Sequence, residues 1–149
     1  GETINTPSML CVEDYLDALS WARSVGGLDG LVGRADANFA VLDAFIERTP
    51  WIANLAQKPE TRSNTSVCVT IVDPEVTALS ADAQGAFAKG IVSALEKEGV
   101  AFDIGAYRDA PSGLRIWAGA TVEASDLEAL TAWLDWAFAA QKAALKAAA

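Results

Sequence analysis

Histidine is absent from the 149 residues, which removes the commonest general base and the commonest metal ligand together. Cysteine is scarce. Cys11 and Cys68 are the two in the chain, far apart and at no ligand spacing, so they read as reduced, partly buried thiols and not as a disulfide or a metal site. Positive charge is also short: eleven Lys and Arg stand against twenty Asp and Glu, a net charge of −9. A surface of that sign repels nucleic acid and anionic membranes, so neither is an expected partner. No apolar run is long enough to span a bilayer and Gly1-Glu2-Thr3 has nothing of a signal peptide, which makes the expected setting cytoplasmic. An initiating methionine is missing, and the chain is expected to be cut from something longer.

What is present is hydrophobic material, 52% of the residues, enough for one ordinary core. A chain of this size buries roughly 70% of the surface it exposes when unfolded. Thr6-Pro7 offers an N-cap followed by proline at the first helical position. Val12, Tyr15, Leu16, Leu19 and Ala22 then make an apolar stripe that Gly26-Gly27 stops. A second helix is predicted over 28–48, with Leu28, Leu31, Val32, Ala35, Phe39, Leu42 and Ile46 on one side and Thr49-Pro50 ending it. Residues 51–57 suit a short edge strand and 65–72 a half-buried one, with Val67, Val69 and Ile71 facing one way. Ser80 caps a helix over 81–98 with Gly99 as its stop, and Ser125-x-x-Glu128 has the form of a capping box for a last helix with Leu127, Leu130, Leu134, Ala137 and Phe138 inward.

The stretch of most chemical interest is Tyr107-Arg108-Asp109-Ala110-Pro111-Ser112-Gly113-Leu114-Arg115-Ile116-Trp117. Val100, Phe102, Ile104 and Ala106 alternate before it, and Leu114, Ile116 and Ala118 alternate within and after it, so the pattern predicts two strands joined by a Pro-Ser-Gly turn. Arg115 then lies on the opposite face with Trp117, facing Gly105, which has no side chain to block a ligand. A guanidinium on a strand is a rigid fork for a carboxylate or phosphate. The expected architecture is α/β of the α+β type: a small, mostly antiparallel sheet of three to four strands, helices packed on one face, and a long helix ahead of it. Two long leading helices exceed what such a sheet covers, so at least the first is expected to pack against something outside this chain.

Three strings, Ile4-Asn5-Thr6-Pro7-Ser8-Met9, Arg62-Ser63-Asn64-Thr65-Ser66-Val67 and the 107–117 stretch, resemble in order and interval the C-terminal part of the phosphoserine aminotransferase family. These are pyridoxal-phosphate enzymes of the fold-type I, class V aminotransferase group, and the resemblance covers essentially the whole chain. It implies transamination between 3-phosphohydroxypyruvate and glutamate, giving phosphoserine and 2-oxoglutarate in serine biosynthesis. It also implies a homodimer with active sites at the subunit interface. Residues 1–27 are then the end of a large-domain segment and the inter-domain helix, and 28–149 the small domain. Asn5 and Thr6 match the pair that reaches the cofactor phosphate of the neighbouring subunit. Arg115 matches the arginine that binds the substrate carboxylate, and Arg108 the one that helps hold the substrate phosphate. The family's cofactor lysine lies upstream of the Asn-Thr-Pro string. Lys58, Lys89, Lys97, Lys142 and Lys146 match no such lysine, so this polypeptide by itself is not expected to transaminate, no catalytic residue is assigned and no metal site is expected.

Each candidate also has a plainer structural reading. Arg115 fits a surface arginine whose stem covers Trp117, Arg108 a surface pair with Asp109, and Thr6 a simple helix cap. Asp103 is placed to orient Arg115, Arg62-Ser63-Asn64 to turn the chain into a strand, and Trp133, Trp136 and Phe138 to form core and helix-packing surface. Two further functional readings stay open: a non-catalytic α/β interaction module, and another class V aminotransferase acting on alanine or glyoxylate. The Tyr107-Arg108-Asp109 string favours a phosphorylated substrate.

Overall fold

A computed structural model of the protein describes residues 3–147. The helix that opens the chain is α1, Met9–Ser24. Its cap is Ser8, whose hydroxyl accepts the Cys11 N–H at 3.4 Å. Thr6, the cap expected from the sequence, lies two residues outside it. Helix α2, Gly27–Arg48, follows across Gly26. A short strand β1, Ile52–Asn54, a 3-10 turn at Pro59–Thr61 and strand β2, Ser66–Ile71, come next. After them run a single-turn helix α3, Pro74–Thr77, the long helix α4, Ala81–Lys97, strand β3, Gly113–Trp117, and a last helix α5, Ala124–Ala147. Because α5 opens at Ala124, Ser125 lies inside its first turn and not at the cap position the Ser-x-x-Glu string predicts.

The sheet is antiparallel throughout, in the order β1-β2-β3, with Val67 opposite Ile116, Val69 opposite Leu114 and Ile52 opposite Ile71. Those six side chains are buried on one face. Helices α2, α4 and α5 cover that face with Leu42, Phe45, Phe87, Ile91, Leu95, Leu130 and Leu134, and the α5 residues expected to face inward all do so. Trp51 stacks on Phe138 at 4.4 Å between centroids and donates its indole N–H to Asp135. Burying such a side chain stabilises the fold by about 1.5–3 kcal/mol.

One expected strand is missing. Residues 100–107 form no ladder, and only an isolated bridge joins Gly105 to Leu114. The reason lies at the end of α4. Gly99, at φ 70°, closes that helix with Gly99 N–H bonded to the Glu96 carbonyl and Val100 N–H to the Leu95 carbonyl. Asp103 then takes a left-handed φ of 54°, so the chain cannot stay extended. The buried residues there are Ala101 and Ile104, while Phe102 is exposed. The hairpin is therefore a loop packed along the edge of β3.

Helix α1 buries none of its residues; Met9, Leu10, Tyr15 and Leu16 are exposed, as are Leu28 and Val32 of α2. The latter two depart from the inward stripe expected of α2, whose buried side is instead Ala35, Asn38, Leu42, Phe45 and Ile46. Both cysteines are free and exposed, not partly buried. Trp133 and Trp136 pack edge to face at 5.4 Å but stay partly exposed, whereas Phe138 is core. Among the described residues, no helix is long and apolar enough to cross a membrane and no cluster of ligating side chains suits a metal ion.

Buried Asp73 ties α3 to α5. Its carboxylate accepts the N–H groups of Glu75 and Val76, capping α3, and takes Lys142 Nζ of α5 at 2.6 Å. Burial works against its ionisation, but the Lys142 contact and the two backbone N–H donors outweigh that and hold its pKa below the ordinary 3.8; the Asp73 hydrogen bond in turn raises that of Lys142. A carboxylate depressed in the folded state stabilises at pH values above its unfolded pKa. That contribution is expected to be lost as pH falls below about 3.8 and through the depressed value, which acid titration of the folded signal will follow. Asp73→Ala, which removes the cap, is expected to cost about 1–2 kcal/mol in urea unfolding at pH 7 and to flatten that acid limb.

Candidate functional site

Helices α2, α4 and α5 pack on the first face of the sheet, and on the second the loop 55–63 borders Ser66 and Cys68. Small side chains line this second face: Ala53 on β1, Ser66, Cys68 and Thr70 on β2, all exposed or half-buried. Strand β3 adds Arg115 directly opposite Cys68 and Trp117 opposite Ser66. The alternation that buries Leu114 and Ile116 is thus what turns Arg115 outward. Gly113 sets the strand's approach, because a Cβ there would run into the Val69 carbonyl of β2.

Arg115 lies on this face without being loose. Its side chain is only 18% exposed. Its backbone N–H donates to the Ile104 carbonyl at 2.8 Å, which ties the loop to the strand. Nη2 donates to Asp103 Oδ2 at 3.1 Å and to the Asp103 carbonyl at 3.5 Å. The guanidinium lies 4.4 Å from the centre of the Tyr107 ring, a cation–π distance. Nε is buried with no hydrogen-bond partner. A buried donor left unpaired costs about 1–3 kcal/mol, so Arg115 is a cation with donor capacity in reserve. Its guanidinium is supported by Tyr107, and the indole N–H of Trp117 on the same face donates to Thr121.

Arg108 occupies a different position. It sits in a turn and not on a strand, its side chain is 93% exposed, and Asp109 is 3.9 Å away. It borders a groove of about 960 Å³ between α4 and the loop 105–113, which Lys89, Tyr107 and Ser112 also line. Tyr107 borders both places, so Arg115 and Arg108 flank one tyrosine. Asn5 and Thr6 lie in the exposed segment ahead of α1. The string at 62–64 is structural: Arg62 donates to the Ala56 carbonyl, the Ser63 hydroxyl accepts the Thr65 and Ser66 N–H groups, and the Asn64 amide donates to Asp36.

Two residues that support the site have no counterpart among the sequence candidates. Asn38, buried on α2, donates its amide to the carbonyls of Gly119 and Val122. Arg34, one turn earlier, donates to the Ala120 carbonyl at 2.8 Å and pairs with Glu123. Together they hold the connector leaving β3. The available signal was a polar pair at i, i+4 continuing the apolar stripe of α2.

No family model matches the chain. Over 138 residues, 93% of its length, it is 51% identical to the phosphoserine aminotransferases of Methanosarcina barkeri and Methanosarcina mazei, and it spans 35% of the length of each. A solved phosphoserine aminotransferase from Bacillus circulans subsp. alkalophilus superposes with a TM-score of 0.76 at 19% identity, over 92% of this chain and 34% of that one. The pyridoxal-phosphate-bound phosphoserine aminotransferase of Trichomonas vaginalis gives 0.71 at 18% identity, over 89% and 34%. In sequence and in fold, an α/β small domain, the chain corresponds to the C-terminal part of such proteins.

Gly113→Ala tests the placement of Arg115. It is expected to push β3 off β2 and to lower the denaturation midpoint, because the obstruction is backbone and not a movable side chain.

Proposed function

We propose, taking the chain as the C-terminal part of a phosphoserine aminotransferase, that it supplies the substrate contacts of a pyridoxal-phosphate-dependent transaminase active on 3-phosphohydroxypyruvate and glutamate. The observation that carries this is Arg115: a largely buried guanidinium on a sheet face where the β1 and β2 side chains are small, with Nε unpartnered. Such a group fits the carboxylate common to both substrates. Arg108, exposed on the neighbouring turn, fits the phosphate that only one of them carries.

The fit to the cofactor is one-ended. The Asn5 amide and Thr6 hydroxyl are exposed donors suited to its phosphate, in a neighbouring subunit of a cytoplasmic homodimer. No lysine here is poised for its reactive carbon: Lys142 is held by Asp73 and Glu75, Lys146 by Glu75, and Lys58, Lys89 and Lys97 stand exposed on a loop and on α4. When bound, pyridoxal phosphate supplies the electron sink that transamination needs. The amine that carries it would come from the remaining two thirds of such a protein. In this reading residues 28–149 are the small domain and 1–27 the end of the large-domain segment and inter-domain helix, and the exposed apolar side of α1 is covered by the rest of the full-length protein.

In the full-length protein, Arg115→Lys is expected to lower kcat/KM for glutamate and for the keto acid alike. The loss of a charge-assisted bidentate contact amounts to about tenfold to a hundredfold. Arg108→Ala is expected to act selectively, penalising phosphoserine far more than alanine as amino donor. Steady-state kinetics on both donors decide it: an Arg115→Lys enzyme with unchanged constants ends the assignment of Arg115, and equal losses on both donors end that of Arg108.

A further inference from the structure

We propose that Asp103 is the resident occupant of the Arg115 subsite: its carboxylate holds the guanidinium until an external carboxylate takes its place, so Asp103 sets the affinity of the site. The inference rests on the reading of Arg115 as a carboxylate anchor and deepens it.

The two halves of this ion pair are unequal. The Arg115 side chain is 18% exposed and that of Asp103 91%. A released Asp103 carboxylate returns to water, whereas a released Arg115 is left as a largely enclosed cation with no anion, held by the Tyr107 ring and the Asp103 carbonyl alone. The carboxylate contact is also single-pointed. Of the two carboxylate oxygens only Oδ2 reaches Nη2, at 3.1 Å and beside the Asp103 carbonyl at 3.5 Å, while the adjacent Nε stays buried and unpartnered. A free carboxylate that takes the place of Asp103 keeps one oxygen on Nη2 and, with the local shift that uncovers the enclosed Nε, brings the other to it, the paired arrangement that Arg favours. Tyr107 beneath the ring and the Ile104 carbonyl behind the backbone keep the fork in place during the exchange. Asp103 itself reaches the site through a left-handed backbone at φ 54°, a conformation open to Asp and Asn but awkward for most residues. The local turn that abolishes the expected strand is the one that delivers this carboxylate.

Displacing an exposed partner lowers affinity by a factor of about two to five, the range of surface ion pairs. Asp103→Asn keeps the backbone preference and removes the charge, so it is expected to tighten carboxylate binding by about threefold. The probe is glutarate, titrated into the 149-residue chain while the Nε–H resonance of Arg115, assigned by its loss in Arg115→Gln, is followed by NMR. The expected result is a lower Kd in Asp103→Asn and no binding in Arg115→Gln. If Arg115→Gln abolishes binding while Asp103→Asn leaves it unchanged or weaker, Asp103 only orients the guanidinium and the inference falls alone. If Arg115→Gln binds glutarate like the parent, the carboxylate role of Arg115 falls and takes the inference with it.

Discussion

The structure depends on the one-sidedness of its sheet. Three short antiparallel strands carry apolar side chains on a single face, and α2, α4 and α5 use up that face entirely. A charged side chain on β3 consequently has just one direction available that does not desolvate it in the core. The same alternation that makes Leu114 and Ile116 core makes Arg115 outward-facing. Position and chemistry are two results of one register, and a slip of a single residue would exchange them.

The regular elements were legible because several local signals agreed within each. Helix α5 has inward residues at helical spacing, β2 alternates between a polar turn and Asp73-Pro74, and α4 is bounded by Ser80 and Gly99. Residues 100–107 misled because their apolar alternation is real in the sequence but local backbone preferences overrule it. The close of α4 at Gly99 and the left-handed Asp103 bend the chain, so Ala101 goes inward and Phe102 outward. Alternation reports which side chains want burial, not whether the backbone is free to extend.

The site was legible unevenly. Arg115 is readable from its neighbours, since β3 has to bury Leu114 and Ile116. Its companions are not, because the Tyr107 ring beneath the guanidinium and the Asp103 carboxylate beside it depend on the path of a loop. Asn38 and Arg34 are further still from sequence reasoning, reaching more than eighty residues along the chain to the carbonyls after β3. Asn5 and Thr6 carry no local signal of function, and only likeness to a family draws notice to them.

Arg34 touches more than the connector. Its guanidinium also lies 6.0 Å from the ring of Trp21 on α1, so one side chain bridges the leading helix, α2 and the segment that continues β3. Swivelling α1 about Gly26 would strip Trp21 from that guanidinium or pull on the carbonyl of Ala120, three residues beyond Trp117. The leading helix and the strand bearing Arg115 are in this sense geared together through one guanidinium, and a change in the pitch of α1 is felt where the chain leaves β3.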